Sequence, residues 1–92
     1  MNELENLREK IDTIDKELIV LFEERMNVVN AIAEYKIKNN LPILNQSRED
    51  IVISKVKSIV KNKDYTDSAI DFIKDIMEIS KKFQQKIISK QQ

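Results

Sequence analysis

Arg25 stands where an apolar residue is expected. Numbered in heptads from Leu4, the first stretch of the chain has Leu4, Ile11, Leu18, Arg25, Ile32 and Asn39 at a positions, with Leu7, Ile14, Leu21, Val28 and Tyr35 at d. A buried guanidinium without a counter-charge is costly, so something anionic should meet it. That anion is either an internal carboxylate, as where a polar a residue sets coiled-coil register, or a ligand. Only Arg8, Arg25 and Arg48 are arginines among the 16 cationic residues. A lysine-rich chain uses Lys for generic surface charge, so its few Arg suit places that need a planar, bidentate donor to a carboxylate. Lys36 follows Arg25 by 11 residues, close to three turns, which puts the two on nearly one face about 16 Å apart along the axis. Two long side chains reaching toward each other leave room for one small dianion. Arg8 precedes Arg25 by 17 residues, about 25 Å, and cannot touch that ligand in the same chain. An antiparallel second copy centred near residue 19 or 20 would bring its Arg8 opposite the gap, giving two equivalent sites per dimer.

Other polar residues are ambiguous alone. The line Ile73, Met77, Ser80, Gln84, Ile87 is apolar except at Ser80 and Gln84, which lie i and i+4 on one helix face. Such a pair ordinarily satisfies itself or a backbone carbonyl; beside a cationic cavity it reads as donors aimed at a ligand. Arg48 and Glu49 fall in the first turn of a second helix, where an exposed ion pair carries little energy and a Glu simply suits the dipole.

The remaining composition narrows the chemistry. His, Cys and Gly are absent from the 92 residues. Imidazole bases, thiolate nucleophiles, the usual zinc sites, disulfides and glycine-built phosphate loops are therefore excluded. The 16 basic and 16 acidic residues balance, which argues against a nucleic-acid partner. No apolar run approaches the ~20 residues of a membrane helix, and no leader segment is visible, so a cytoplasmic protein is expected. Met1 and a polar Lys90-Gln91-Gln92 tail suggest a complete, free-standing protein.

These side chains must be placed by helices. With no Gly and one Pro, nothing supplies the positive φ of tight hairpins, and helix is the economical reading. Pro42 marks one break and the polar run Asn62-Lys63-Asp64-Tyr65-Thr66-Asp67 another. An all-α domain over residues 1–92 follows, with three helices: roughly Glu3 to Asn40, Asn45 or Ser47 to about Lys61, and Asp67 to about Lys90. Asn45 or Ser47 would cap the second, the latter in a capping box with Asp50, and Thr66 or Asp67 the third. The first helix would exceed 50 Å, too long for two shorter helices to cover. Its seam predicts an intertwined homodimer.

Taken together, Leu7-Arg8-Glu9-Lys10-Ile11-Asp12 with Ile14-Asp15 and Glu24-Arg25, Ala33-Glu34-Tyr35-Lys36, Pro42-Ile43 with Ser47-Arg48-Glu49, and Ser80 with Gln84 resemble the all-helical chorismate mutase family over nearly the whole chain. The resemblance implies rearrangement of chorismate to prephenate by a cofactor-free helical dimer. By the same resemblance, Arg25 and the partner's Arg8 grip the substrate carboxylates, and Lys36 and Gln84 bond the ether oxygen. Glu49 accepts from the ring hydroxyl, Arg48 orders the cavity and reaches toward a carboxylate, and Ser80 donates to a carboxylate. Asn45 departs from the acidic residue of the family pattern, which bears on positioning of the ring hydroxyl. Two alternatives stay open: an isochorismate pyruvate-lyase of the same fold, and a non-catalytic helical dimerisation module in which Arg25 only sets register.

Overall fold

The computed structural model describes residues 2–91 and is helical throughout its regular elements. Helix α1 spans Glu3–Lys38, α2 spans Gln46–Ile59 and α3 spans Thr66–Gln91, with a single 3-10 turn, Lys63–Tyr65, leading into α3. Three helices were expected; their ends differ in instructive ways. α1 stops at Lys38 and not Asn40, because Asn40 takes the left-handed conformation at φ 56°. The Leu41 amide then bonds the Lys36 carbonyl at 2.9 Å and the Asn40 amide the Ile37 carbonyl at 3.4 Å. This closure usually employs glycine, and asparagine is the best substitute in a chain that has none. Pro42 follows and prevents any resumption.

Asn45 caps α2: its side-chain oxygen accepts from the Arg48 amide at 3.1 Å. Ser47 is already inside the helix, and Asp50 accepts from Gln46 at 3.1 Å rather than closing a box with Ser47. α2 ends at Ile59, two residues before the expected Lys61. Lys63 reaches back there, donating to the Lys57 and Val60 carbonyls at 3.1 and 2.7 Å. Neither Thr66 nor Asp67 caps α3. Asn62 instead caps the 3-10 turn through the Asp64 amide, and that turn runs directly into the helix at Thr66.

α3 is the central element. Both α1 and α2 pack on it, while among the described residues α1 and α2 do not pack on each other. The buried stripe of α1 consists of Val29 and Ala33, flanked by half-covered Phe22 and Met26. Their i, i+4, i+7, i+11 spacing makes one helix face, and it is not the heptad seam. The seam residues Leu4, Leu7, Ile11, Ile14, Leu18, Leu21, Val28, Ile32 and Tyr35 are all exposed. The chain's own contacts therefore use a face beside the seam. The resulting shape is elongated, 55 × 27 × 14 Å, with a radius of gyration of 16.7 Å against about 12 Å for a compact chain of this length. Among the described residues no helix is long and apolar enough to cross a membrane.

Asn45→Ala removes the α2 cap and is expected to cost about 1 kcal/mol, read as a lower midpoint in thermal unfolding. Asn45→Asp keeps an accepting oxygen and should unfold with the wild type.

Candidate active site

Four polar side chains meet where the C-terminal half of α1 crosses α3. Arg25 and Lys36 come from α1, both partly buried, and Ser80 and Gln84 from α3, only 5% and 7% exposed. The Arg25 Nη1 donates to Ser80 Oγ, which itself donates to the Ile76 carbonyl at 2.9 Å. Lys36 Nζ donates to the Ile43 carbonyl at 2.8 Å and to Gln84 Oε1 at 3.4 Å, and Gln84 Nε2 donates to the Ser80 carbonyl at 3.4 Å. Ser80 and Gln84 thus make the backbone bonds expected of polar residues in a helix interior and also face the two cations. The i, i+4 spacing on α3 delivers one acceptor to each of two residues that are 11 apart on α1.

Charge makes the arrangement unusual. Among the described residues no carboxylate pairs with Arg25 or Lys36; every partner they have is neutral. The register reading of Arg25 called for an internal carboxylate, and Ser80 occupies that place. Burial pushes the Arg25 guanidinium below its ordinary pKa, since desolvation disfavours the charged form, but arginine remains cationic at neutral pH. Two cations held by neutral acceptors keep most of their attraction for an added anion. Lys36 also retains a third N–H beyond its two bonds.

The other expected residues are placed less centrally. Glu49, in the first turn of α2, is largely covered and pairs with Lys81 of α3 at 3.2 Å. Lys81, absent from the expectations above, also meets Glu78 at 3.1 Å. Glu78 first, then Glu49, hold its ammonium above the usual lysine range. No sequence pattern links Glu49 to Lys81; the pair exists only once α2 and α3 are docked. Arg48 is exposed, and among the described residues its guanidinium meets no carboxylate. The Asn45 side chain is committed to its cap. Arg8 is exposed on the unaccompanied half of α1, remote from Arg25. The structure therefore brings together Arg25, Lys36, Ser80 and Gln84, sets Glu49 on the neighbouring helix, and leaves Arg8 and Arg48 outside the cluster. Beside Arg25, a cleft of about 220 Å³ opens between the helices, lined otherwise by Leu18, Leu21, Phe22, Phe72, Ile73 and Ile76.

Residues 7–85 match the family described as chorismate mutase type II. The chain belongs to that family. A bifunctional chorismate mutase/prephenate dehydratase of Buchnera aphidicola is 36% identical over 90 residues, covering 97% of this chain but 23% of the relative. One of the same description from Aquifex aeolicus is 41% identical over 61 residues, 66% of this chain and 17% of the relative. The chain thus spans less than a quarter of these bifunctional relatives. A chorismate mutase of Methanocaldococcus jannaschii is 25% identical over 93 residues, with 94% of its length covered. No solved structure matches the chain significantly.

A chorismate mutase type II chain with an anion-seeking cluster should be stabilised by small dicarboxylates. Malonate at about 100 times its Kd would add about 2.7 kcal/mol, seen as a rise in Tm. Lys36→Met and Arg25→Leu should each abolish the rise.

Proposed function

We propose that residues 1–92 act as one domain that converts chorismate to prephenate, working in the cytoplasm as an intertwined homodimer without a cofactor. The observation that carries this reading is the pair Arg25 and Lys36, two partly buried cations supported only by neutral groups, in a chain of the chorismate mutase type II family.

The reaction is a [3,3]-sigmatropic shift. It forms a carbon–carbon bond as an ether C–O bond breaks, and it needs no nucleophile, acid or base. His and Cys, both missing here, are therefore dispensable. Two contributions lower the barrier. Clamping both carboxylates holds the flexible enolpyruvyl arm folded over the ring, which removes an entropic cost. Fixed donors then stabilise negative charge that accumulates on the ether oxygen in the transition state. Arg25 and the partner's Arg8 supply the clamp, with Ser80 donating to a carboxylate once Arg25 turns to the ligand. Lys36 and Gln84 address the ether oxygen. The 3.4 Å bond from Gln84 Nε2 to the Ser80 carbonyl is long, so turning the amide toward a ligand sacrifices little. Glu49 accepts from the ring hydroxyl, and the exposed Arg48 folds over the cavity. A modest enzyme needs about 8 kcal/mol from these together, and one well-placed donor supplies roughly 3–4.

The second copy is supported by surface arithmetic. The chain exposes 7639 Å², whereas a compact monomer of 10.8 kDa exposes about 5500 Å². The surplus of about 2000 Å² per chain lies in the range of an obligate dimer interface. It coincides with the exposed seam of α1 and with the apolar cleft beside Arg25.

With purified protein, an end-point assay on chorismate should yield prephenate; release of pyruvate from isochorismate instead would identify the lyase chemistry. Lys36→Met should lower kcat by at least about 10²–10³-fold, by analogy with loss of an oxyanion donor, while Ser80→Ala should lower it by about tenfold or less, as for one neutral hydrogen bond. Comparable losses would refute the ether-oxygen role of Lys36. Gln84 donates irrespective of pH, so kcat should stay level from about pH 5 to 7.5. For the dimer, equal amounts of inactive Arg8→Ala and Arg25→Ala chains, unfolded and refolded together, should recover about a quarter of wild-type activity. Half the dimers are then mixed, and each holds one intact site.

A further inference from the structure

Ser80 and Lys81 are consecutive on α3, about 100° apart around its axis, and they face different neighbours. Ser80 meets Arg25 of α1 and Lys81 meets Glu49 of α2. The Lys81 ammonium lies between two carboxylates, 3.2 Å from Glu49 Oε1 and 3.1 Å from Glu78 Oε2. Those carboxylates are not alike: the Glu49 side chain is 19% exposed and that of Glu78 is 55% exposed. The Glu78 contact is an ordinary i, i+3 surface pair of little weight. The Glu49 contact joins two helices and covers the carboxylate that the mutase reading sets against the ring hydroxyl of the substrate.

That position poses an electrostatic problem. A ligand with two carboxylates is drawn in by Arg25 and Lys36, but a bare Glu49 on the neighbouring helix would repel it. In a partly covered site such repulsion is screened less than in open water. A cation behind Glu49 removes the difficulty without taking an acceptor oxygen from the site side, because a carboxylate has two oxygens and about four lone-pair positions.

We infer that Lys81 is a positioning residue: its ammonium holds the Glu49 carboxylate against the α2–α3 junction and cancels its charge, so that a dicarboxylate substrate can bind beside it. This inference rests on the mutase reading above. Lys81 acts through Glu49 and not on the substrate, and two consequences follow. Losing Lys81 weakens binding of the dianion more than it slows chemistry. Its loss is silent once Glu49 itself carries no charge.

The test is a two-residue cycle with chorismate at low ionic strength, reading KM, kcat and Tm for wild type, Lys81→Met, Lys81→Arg, Glu49→Gln and the Lys81→Met, Glu49→Gln double variant. Lys81→Met should raise KM about tenfold with kcat changed less than threefold, with Tm showing that the variant remains folded. Lys81→Arg should restore KM, and the double variant should share the KM of Glu49→Gln. A rise in KM of equal size in both Glu49 backgrounds would overturn the inference, because Lys81 would then act on the ligand directly. An unchanged KM in Lys81→Met would overturn it as well, reducing the contact to a surface pair. Both results leave the mutase reading intact, whereas a wild-type chain that fails to convert chorismate removes that reading and this one together. Should Lys81→Met aggregate, Lys81→Gln serves the same comparison.

Discussion

The organisation of this small protein depends on two positive charges kept from neutralisation. Arg25 and Lys36 are drawn partly out of water against α3, and the groups that receive them there are a hydroxyl, an amide oxygen and a backbone carbonyl. Each neutral acceptor offsets part of the desolvation cost without closing an ion pair. An Asp in place of Ser80 would form a buried salt bridge with Arg25 and leave the guanidinium little attraction for anything else. Neutral support costs the protein stability and leaves a demand that, in the proposed function, an anionic ligand satisfies.

The buried interior of the single chain is modest. Among the described residues Val29, Ala33 and Met77 are the buried apolar ones, and they lie on the helices that carry Ser80 and Gln84 or pack against them. Ala33, with no exposed surface at all, lets the two helices approach closely enough for side chains 11 residues apart on α1 to find partners four apart on α3. A larger residue there would separate the helices and lengthen the two bonds that cross between them, Arg25 to Ser80 and Lys36 to Gln84. Close packing and charge placement are one constraint, and the apolar surface that ordinary folding would bury is left on the seam of α1.

How much of this was legible follows from where each feature is encoded. Arg25, Lys36, Ser80 and Gln84 could be read from spacing because each pair lies on a single helix, and helical periodicity fixes which residues share a face. The Asn45 cap was legible for the same local reason. Helix ends were less so. Asn40 adopts positive φ because the Schellman closure after Lys38 requires it, and asparagine does not announce that role as glycine does. The heptad pattern identified a real apolar seam but not the face that packs within the chain, since Phe22, Met26, Val29 and Ala33 form a second stripe beside it. Glu49 with Lys81 lay beyond reach entirely, because a pair between two helices depends on how they dock and leaves no periodic trace.

Chemistry and scaffold suit one another here. A reaction needing proton transfer or a covalent intermediate would call for a titrating or nucleophilic side chain with its orienting partner, and this chain has neither imidazole nor thiol. A pericyclic step asks only that a folded conformer be held and that positive groups already stand where charge will grow. Under the proposed mutase reading rigid helices suit that task, because donors carried on α1 and α3 would need little reorganisation as the bond breaks. The helices also set its limit. Under the proposed reading one three-helix chain would enclose the ligand only in part, since Arg8 sits too far along α1 to join the cluster from within. The length that prevents α1 from folding back on its own chain is the same length that can carry Arg8 to a second one.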